Sequence, residues 1–83
     1  MPMATPLYIA GYSRKAGLVY LTVVGHGLTS GNNGNTLTIV GCSDPSVNVV
    51  TKVDHVIVPD TIVFKQPGLY DTPERSGGAC AIG

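Results

Sequence analysis

Hydrophobic positions along this chain repeat every second residue, as they do in β-strands, and not with the period of a helix. Residues 18–24 form a run of apolar, aromatic and β-branched side chains between two glycines, and residues 36–40 alternate threonine with leucine and isoleucine before a valine. The intervening residues 25–35 hold four glycines and three asparagines, which reach turn conformations at little cost. This pattern predicts two strands that are joined by an irregular turn region.

A longer run at residues 47–58 has almost unbroken β propensity. Its alternation slips near Asp54-His55, which indicates a bulge or a bend between two strands. Proline presets the backbone for the first corner of a tight turn, so Pro59-Asp60 predicts a reversal of the chain. Residues 61–65 should then pair back on the end of the long run.

These elements predict an all-β protein, a small β-sandwich or a partly open barrel with extended N- and C-terminal arms. We expect about five or six strands and no helix of more than about two turns. The side chains expected in the core are the large apolar ones on inward strand positions, which are Leu21, Val23, Leu37, Ile39, Val56, Val58 and Phe64.

Both ends of the chain differ in composition from its middle. Residues 1–17 begin with prolines that oppose regular structure, so we predict an N-terminal arm from which residues 7–10 can add as an edge strand. Residues 69–83 are rich in glycine and alanine and predict a flexible C-terminal tail. The β domain is therefore assigned to residues 18–68. We expect both ends to be mobile in the free protein and to become ordered in an assembly.

The strand at residues 18–24 is apolar on both faces. If one face meets the core, the other must be covered, because an exposed strand of this kind pairs with other chains. The sequence therefore predicts self-association through this strand, as a symmetric trimer or dimer.

Charge is scarce in this chain of 83 residues, which is 43% hydrophobic and 12% charged, with five basic and five acidic residues that cancel. Nucleic-acid binding needs clustered Lys and Arg, so no nucleic-acid partner is expected. There is no apolar run long enough to span a membrane, and the N-terminus shows no signal-peptide pattern. We expect the protein to be made in a cytoplasm and kept or packaged there.

The two cysteines, Cys42 and Cys80, are too few for a disulfide scaffold. Two separate thiols are the favoured interpretation, and a Cys42–Cys80 bridge that pins the tail is the alternative. A zinc site would also need His26 and His55, at no spacing typical of zinc ligands. No metal and no cofactor is expected.

No set of residues in the sequence completes a catalytic site. His26 lies between two glycines and is expected to be a turn histidine whose ring nitrogens bond nearby backbone. Asp54 and His55 are expected to lie on a solvated face or in a bend. They are not expected to form a catalytic dyad, since no nucleophile completes a triad with them. The glycine-rich segments at 25–27 and 76–78 do not open a helix after a strand, as a phosphate loop does. We therefore expect no enzyme activity.

The order of turns and strands between residues 25 and 68 resembles the small β repeat of tailed-bacteriophage virion proteins. A Gly-His-Gly-Leu-Thr turn at residues 25–29 leads into the apolar-Thr-apolar strand at 37–39 and then Gly-Cys-Ser at 41–43. A Val-rich strand follows, and a hairpin through Asp60-Thr61 to Val63-Phe64 closes at Pro67-Gly68.

The resemblance implies a structural role in the virion. Repeats of this kind occur in decoration (cement) proteins, tail and fibre subunits and adhesive appendages, and they have no enzymatic residues. The expected function is therefore that of a capsid decoration protein, which binds and stabilises the assembled shell through the major capsid protein or another virion protein. The alternative is a minor tail- or fibre-associated protein, or a receptor- or glycan-binding β module.

Residues expected to contact a partner lie mostly outside the predicted β domain. Tyrosine combines a large apolar area with a polar tip and is enriched at interfaces, and Arg14-Lys15 is the only basic pair. The predicted contact residues are Leu7, Tyr8, Tyr12, Arg14, Lys15, Tyr20, Leu69 and Tyr70.

Overall fold

A computed structural model describes residues 7–57, 59–68 and 70–82, and nine strands run through them. The strands are β1 (Leu7–Tyr8), β2 (Gly11–Lys15), β3 (Leu18–Thr22), β4 (Thr36–Val40), β5 (Val50–Lys52), β6 (His55–Ile57), β7 (Thr61–Lys65), β8 (Thr72–Arg75) and β9 (Ala79–Ile82). The helices among the described residues are single 3₁₀ turns at Ser30–Asn32 and Pro45–Val47. None of them is long and apolar enough to cross a membrane.

The strands form two antiparallel sheets, which confirms the all-β prediction. Sheet A has four strands in the order β1-β9-β4-β5, and sheet B has five in the order β6-β7-β3-β2-β8. Each sheet turns one face inward, and the core lies between them. The edge strands have two to four residues each, which limits the unpaired backbone that an edge exposes.

The sequence predicted the centre of this fold well. The strand at residues 36–40 has the predicted bounds, and the long valine run divides into β5 and β6 at Val53-Asp54, so one stretch of chain crosses from sheet A to sheet B. Ile57 pairs with Thr61 across the Pro59-Asp60 turn. The predicted bend and hairpin are therefore both confirmed.

Most of the predicted core is confirmed. Leu21, Leu37 and Phe64 are fully buried, and Val23 and Ile39 are nearly so. Val56 is only half-buried, because β6 is the outermost strand of sheet B, but it packs against the core. Val58 lies outside the described residues. The core also contains side chains that were not predicted: Ile9, Tyr12, Val19, Cys42, Val47, Val53, Ile62 and Cys80.

The division into a domain and two arms is wrong for the described parts of the ends. Residues 11–15 form β2, an interior strand that pairs with β3 on one side and β8 on the other. Residues 79–82 form β9, which lies between β1 and β4. Both ends supply core side chains, so the packed domain extends well beyond residues 18–68. This is why the strands number nine and not five or six.

The strand at residues 18–22 also has a different environment from the one predicted. It is the middle strand of sheet B and is paired on both sides, so its edge is not free. Val19 and Leu21 face the core, while Tyr20 faces outward and is half-buried. The pairing hazard inferred for this strand is therefore absent.

Candidate functional site: an uncharged sheet face

The outward face of sheet A is built from alternate residues of four strands. Leu37, Ile39 and Cys80 point into the core, so their neighbours in sequence point outward. The register aligns these outward residues in three rows, which are Tyr8–Ala79–Val40, Ala81–Thr38–Val50 and Thr36–Lys52. Cross-strand neighbours of this kind lie about 5 Å apart, so the rows form one continuous patch, called here the sheet A face.

The sheet A face combines apolar exposure with an almost complete lack of charge. The side chains of Val50, Tyr8 and Val40 are 71%, 70% and 57% exposed. Lys52, at one corner, is the single charged residue on the four strands of sheet A as described. The other nine charged residues of the chain lie on sheet B and in the connections. The molecule therefore has one apolar side and one charged side.

The opposite, outward face of sheet B carries a small ionic cluster. His55 Nδ1 lies 2.6 Å from Asp54 Oδ2, and Lys65 Nζ lies 3.5 Å from Asp54 Oδ1. The hydrogen bond from His55, followed by the charge of Lys65, lowers the pKa of Asp54 below its usual value. His55 is 41% exposed and Lys65 is 71% exposed, so the cluster is solvated, as the sequence predicted.

His26 lies in the connection after β3, and its ring is buried. The main-chain N–H of Leu28 donates to His26 Nδ1 across 2.9 Å. For this ring nitrogen, the prediction that His26 is a turn histidine bonded to nearby backbone is confirmed. The other, Nε2, is buried and has no hydrogen-bond partner among the described residues.

The predicted contact residues are scattered. Tyr8 and Tyr70 are exposed, at 70% and 92%, and Lys15 is exposed as well. Leu7 and Tyr20 are half-buried, and Leu69 lies outside the described residues. Of the predicted contact residues that the structure describes, Tyr8 alone belongs to the sheet A face.

Tyr12 and Arg14 are buried and cannot meet a partner, so their prediction as contact residues is wrong. The hydroxyl of Tyr12 accepts a hydrogen bond from the main-chain N–H of Asp44 and shares another with Ser43 Oγ, both across 2.8 Å. Arg14 faces inward two residues further along β2. A tyrosine and an arginine look like surface residues by type, and only partners distant in sequence allow their burial.

Arg14 is the polar centre of the molecule. Its guanidinium makes four hydrogen bonds, and its Nη2 lies 3.7 Å from Asp44 Oδ2. The acceptors are Ser46 Oγ in the connection between β4 and β5, Gln66 Oε1 and Tyr70 O in the connection between β7 and β8, and Thr72 Oγ1 at the start of β8. Hydrogen bonds from Ser46, and then the charge of Arg14, lower the pKa of Asp44.

The two cysteines are free and buried, in agreement with the favoured interpretation of two separate thiols. Burial, with the nearby Cys42 as a smaller cause, raises the pKa of Cys80 to about 11. Burial and then Asp44 raise the pKa of Cys42. Both thiols are therefore protonated and unreactive near neutral pH. In the described part of the chain, no three potential ligand residues come together to bind a metal ion.

Most of the sheet A face was missed by the sequence reasoning. The local signal was present, because the alternation of residues 36–40 places Thr36, Thr38 and Val40 on the side opposite Leu37 and Ile39. What could not be read locally is that Tyr8 and Val50 join them, since these residues come together only through strand pairing.

Comparison with protein-family models found no match to this chain, and comparison with curated protein sequences found no significant similarity.

Proposed function

We propose that this chain is a non-enzymatic virion structural protein, most simply a capsid decoration protein that binds the assembled shell through the sheet A face. The observation that carries the proposal is the exposed, almost uncharged patch formed by four strands. The resemblance of residues 25–68 to the small β repeat of phage virion proteins gives the class of assembly. The major capsid protein, or another virion structural protein, is the proposed partner.

The chemistry of the sheet A face suits a protein partner. The centres of protein interfaces are depleted in charged residues and enriched in aromatic ones. Here Tyr8 lies at one end of a row that continues through Ala79 to Val40, and Lys52 lies at the opposite corner, where an interface rim would be. The exposed apolar side chains and the scarcity of charge on the face therefore match the composition of an interface centre.

The size of the sheet A face indicates how it would be used. The four strands hold 2, 4, 5 and 3 residues, and at roughly 3.3 Å by 4.8 Å for each residue they cover a footprint of about 220 Å². A stable pair of free proteins needs roughly 800 Å² from each partner. The face alone is therefore too small for a tight free dimer, but it suits repeated docking on a lattice, where further contacts add to each site.

Introducing a charge tests the docking surface. Val50→Asp places a carboxylate on the sheet A face, and Val24→Asp places one at a valine of equal exposure, 73% against 71%, outside both sheets. Virus particles that were assembled without this protein would be incubated with each purified variant. The bound copies per particle would then be counted by quantitative mass spectrometry. We expect Val50→Asp to lower occupancy at least about tenfold and Val24→Asp to bind as wild type, since desolvating an unpaired charge is costly.

Two outcomes would contradict the proposal at different levels. Equal occupancy of both folded variants would remove the sheet A face as the docking surface. A virion role requires the wild-type chain to occur in purified particles in a fixed ratio to a major structural protein. If it occurs only in infected-cell lysate and never in particles, the virion role itself is refuted.

The alternative function, a receptor- or glycan-binding module, is favoured by one observation. Tyr70 is 92% exposed, and a solvent-facing aromatic ring is what a sugar stacks on. A glycan array probed with wild type and Tyr70→Ala would detect this role as binding that the variant loses.

A further inference from the structure

The hydrogen bonding of His26 fixes which nitrogen carries the proton. Nδ1 accepts from the Leu28 N–H across 2.9 Å, so in the neutral ring the proton lies on Nε2. The side chain of His26 is 6% exposed, and Nε2–H has no acceptor among the described residues. Native proteins seldom leave a buried donor unpaired, because the group loses its water without replacement. We therefore expect a hydrogen-bond acceptor to pair with Nε2–H.

A cleft of about 360 Å³ lies at the loop that carries His26. It is lined by Gly25, His26, Gly27, Leu28 and Pro59, so histidine is the one polar side chain of the lining. Its volume falls near the lower end of the range of small-ligand sites, roughly 300–1,000 Å³. A lining whose one side-chain donor stands among apolar side chains is suited to an apolar group that carries a hydrogen-bond acceptor.

We propose that this cleft binds an extended apolar peptide segment of a partner protein, with a main-chain carbonyl oxygen of the segment accepting from His26 Nε2. The side chain of the bound residue contacts Leu28 and Pro59. A neutral carbonyl is favoured over a free carboxylate because Asp60 is close by, with its Oδ1 accepting from the Gly25 N–H across 3.2 Å. That carboxylate repels a second anion.

Binding of the segment requires the loop to open. Nε2 is out of contact with solvent, so the ring or the loop must shift before the bond forms. Gly25 and Gly27 have φ of 64° and 69°, and a Cβ at either position would meet nothing within 4 Å. The backbone on both sides of His26 is therefore open and glycine-flexible, while the main-chain bond from Val23 N to Asp60 O keeps the end of β3 fixed.

Nuclear magnetic resonance tests the proposal with N-acetyl-L-valine N-methylamide as the peptide probe. In the ¹⁵N-labelled wild type we expect saturable shifts at His26 Nε2–H and at the amides of Gly25, Gly27 and Leu28. Sodium acetate, titrated in parallel, is expected to bind more weakly. No saturable shift with the amide, or tighter binding of acetate, would overturn the peptide assignment.

Two substitutions distinguish the contribution of the Nε2–H donor to binding from the contribution of the Nδ1 hydrogen bond to the turn. In His26→Asn the side-chain oxygen still accepts from Leu28 N–H, but nothing replaces Nε2, so probe affinity should fall about tenfold, the value of one hydrogen bond. His26→Gln places an amide nitrogen near the Nε2 position and should bind better than His26→Asn. Equal affinity of wild type and a folded His26→Asn would overturn the proposal. So would a crystal structure with an ordered water on Nε2 together with no response to the probe. If neither variant folds, the shift of the wild-type Nε2–H decides alone.

Discussion

The Nε of Arg14 donates a hydrogen bond to the main-chain oxygen of Tyr70 across 2.7 Å, and this contact joins two parts of the chain 56 residues apart. It holds the backbone of Tyr70 while the ring stays 92% exposed. Thr72 is bound by the same guanidinium, and the Asp71 carboxylate accepts from Ala16 N–H across 3.0 Å. The segment that enters β8 is therefore held against the β2–β3 turn by polar side chains, since it has few apolar ones of its own.

Replacing Arg14 should be far more costly than replacing its neighbour. Arg14→Leu removes the donor to four partly buried acceptors and the cationic partner of Asp44, and we expect a loss of about 3–5 kcal/mol in the free energy of unfolding. Lys15→Leu, one residue away on the exposed side of β2, should change stability by less than about 0.5 kcal/mol. Urea unfolding followed by circular dichroism measures both. Similar small losses for the two variants would show that the Arg14 network contributes little.

Gly78 should not tolerate a side chain. A Cβ there would lie 2.5 Å from Cys42 Sγ and 3.1 Å from Val40 O, and φ is +97°. Gly77 has φ of +101° but nothing within 4 Å of a Cβ, so it is the matched control. Gly77→Ala should cost roughly 1–2 kcal/mol for its backbone alone, and Gly78→Ala about 1–3 kcal/mol more for the overlap. Equal thermal shifts for the two variants would mean that Cys42 moves aside freely.

Stability should fall in alkali because of Cys80. Its pKa is raised to about 11 in the folded protein from 9.0, so the folded state binds the proton more tightly. The contribution is fully present below pH 9 and is lost as pH rises through 11, on the order of 2 kcal/mol in total. Unfolding in urea between pH 8 and 11, under reducing conditions, should show a steeper fall for wild type than for Cys80→Ala. Parallel curves would contradict the assignment.

Phe64 should be among the most costly core positions. Its ring is fully buried on β7, so Phe64→Ala should lower the free energy of unfolding by about 3–5 kcal/mol through lost burial and a residual cavity. Val24→Ala, at an apolar residue that is 73% exposed, serves as the control and should stay within about 0.5 kcal/mol. A loss below about 1 kcal/mol for Phe64→Ala would remove this ring from the core.

The centre of the fold could be predicted because its signals are local. Strand β4 has the predicted bounds, and β7 ends at the predicted Lys65, because glycine and proline mark the neighbouring turns. The bend at Val53-Asp54 was visible as a break in alternation. Each of these signals depends on neighbours in sequence and not on the rest of the fold.

The ends could not be predicted for the opposite reason. Strand β9 consists of Ala79, Cys80, Ala81 and Ile82, which have too little apolar area to indicate a strand, and it is held by partners on both sides. Strand β2 includes Arg14, whose burial depends on acceptors between residues 44 and 72. The sheet A face was missed in the same way, because it brings together Tyr8, Val40, Val50 and Ala79 through pairing alone.

The position of β9 between β1 and β4 has a consequence for the order of folding. The strands β1 and β4 do not touch each other in sheet A, and they are joined only by a strand made some forty residues after β4, at Ala79–Ile82. During synthesis the hairpins of sheet B can form as they emerge, but sheet A stays open until its last strand arrives. Such long-range pairing slows folding and leaves strand edges exposed meanwhile. The most apolar side of the molecule therefore closes only when residues 79–82 have been made.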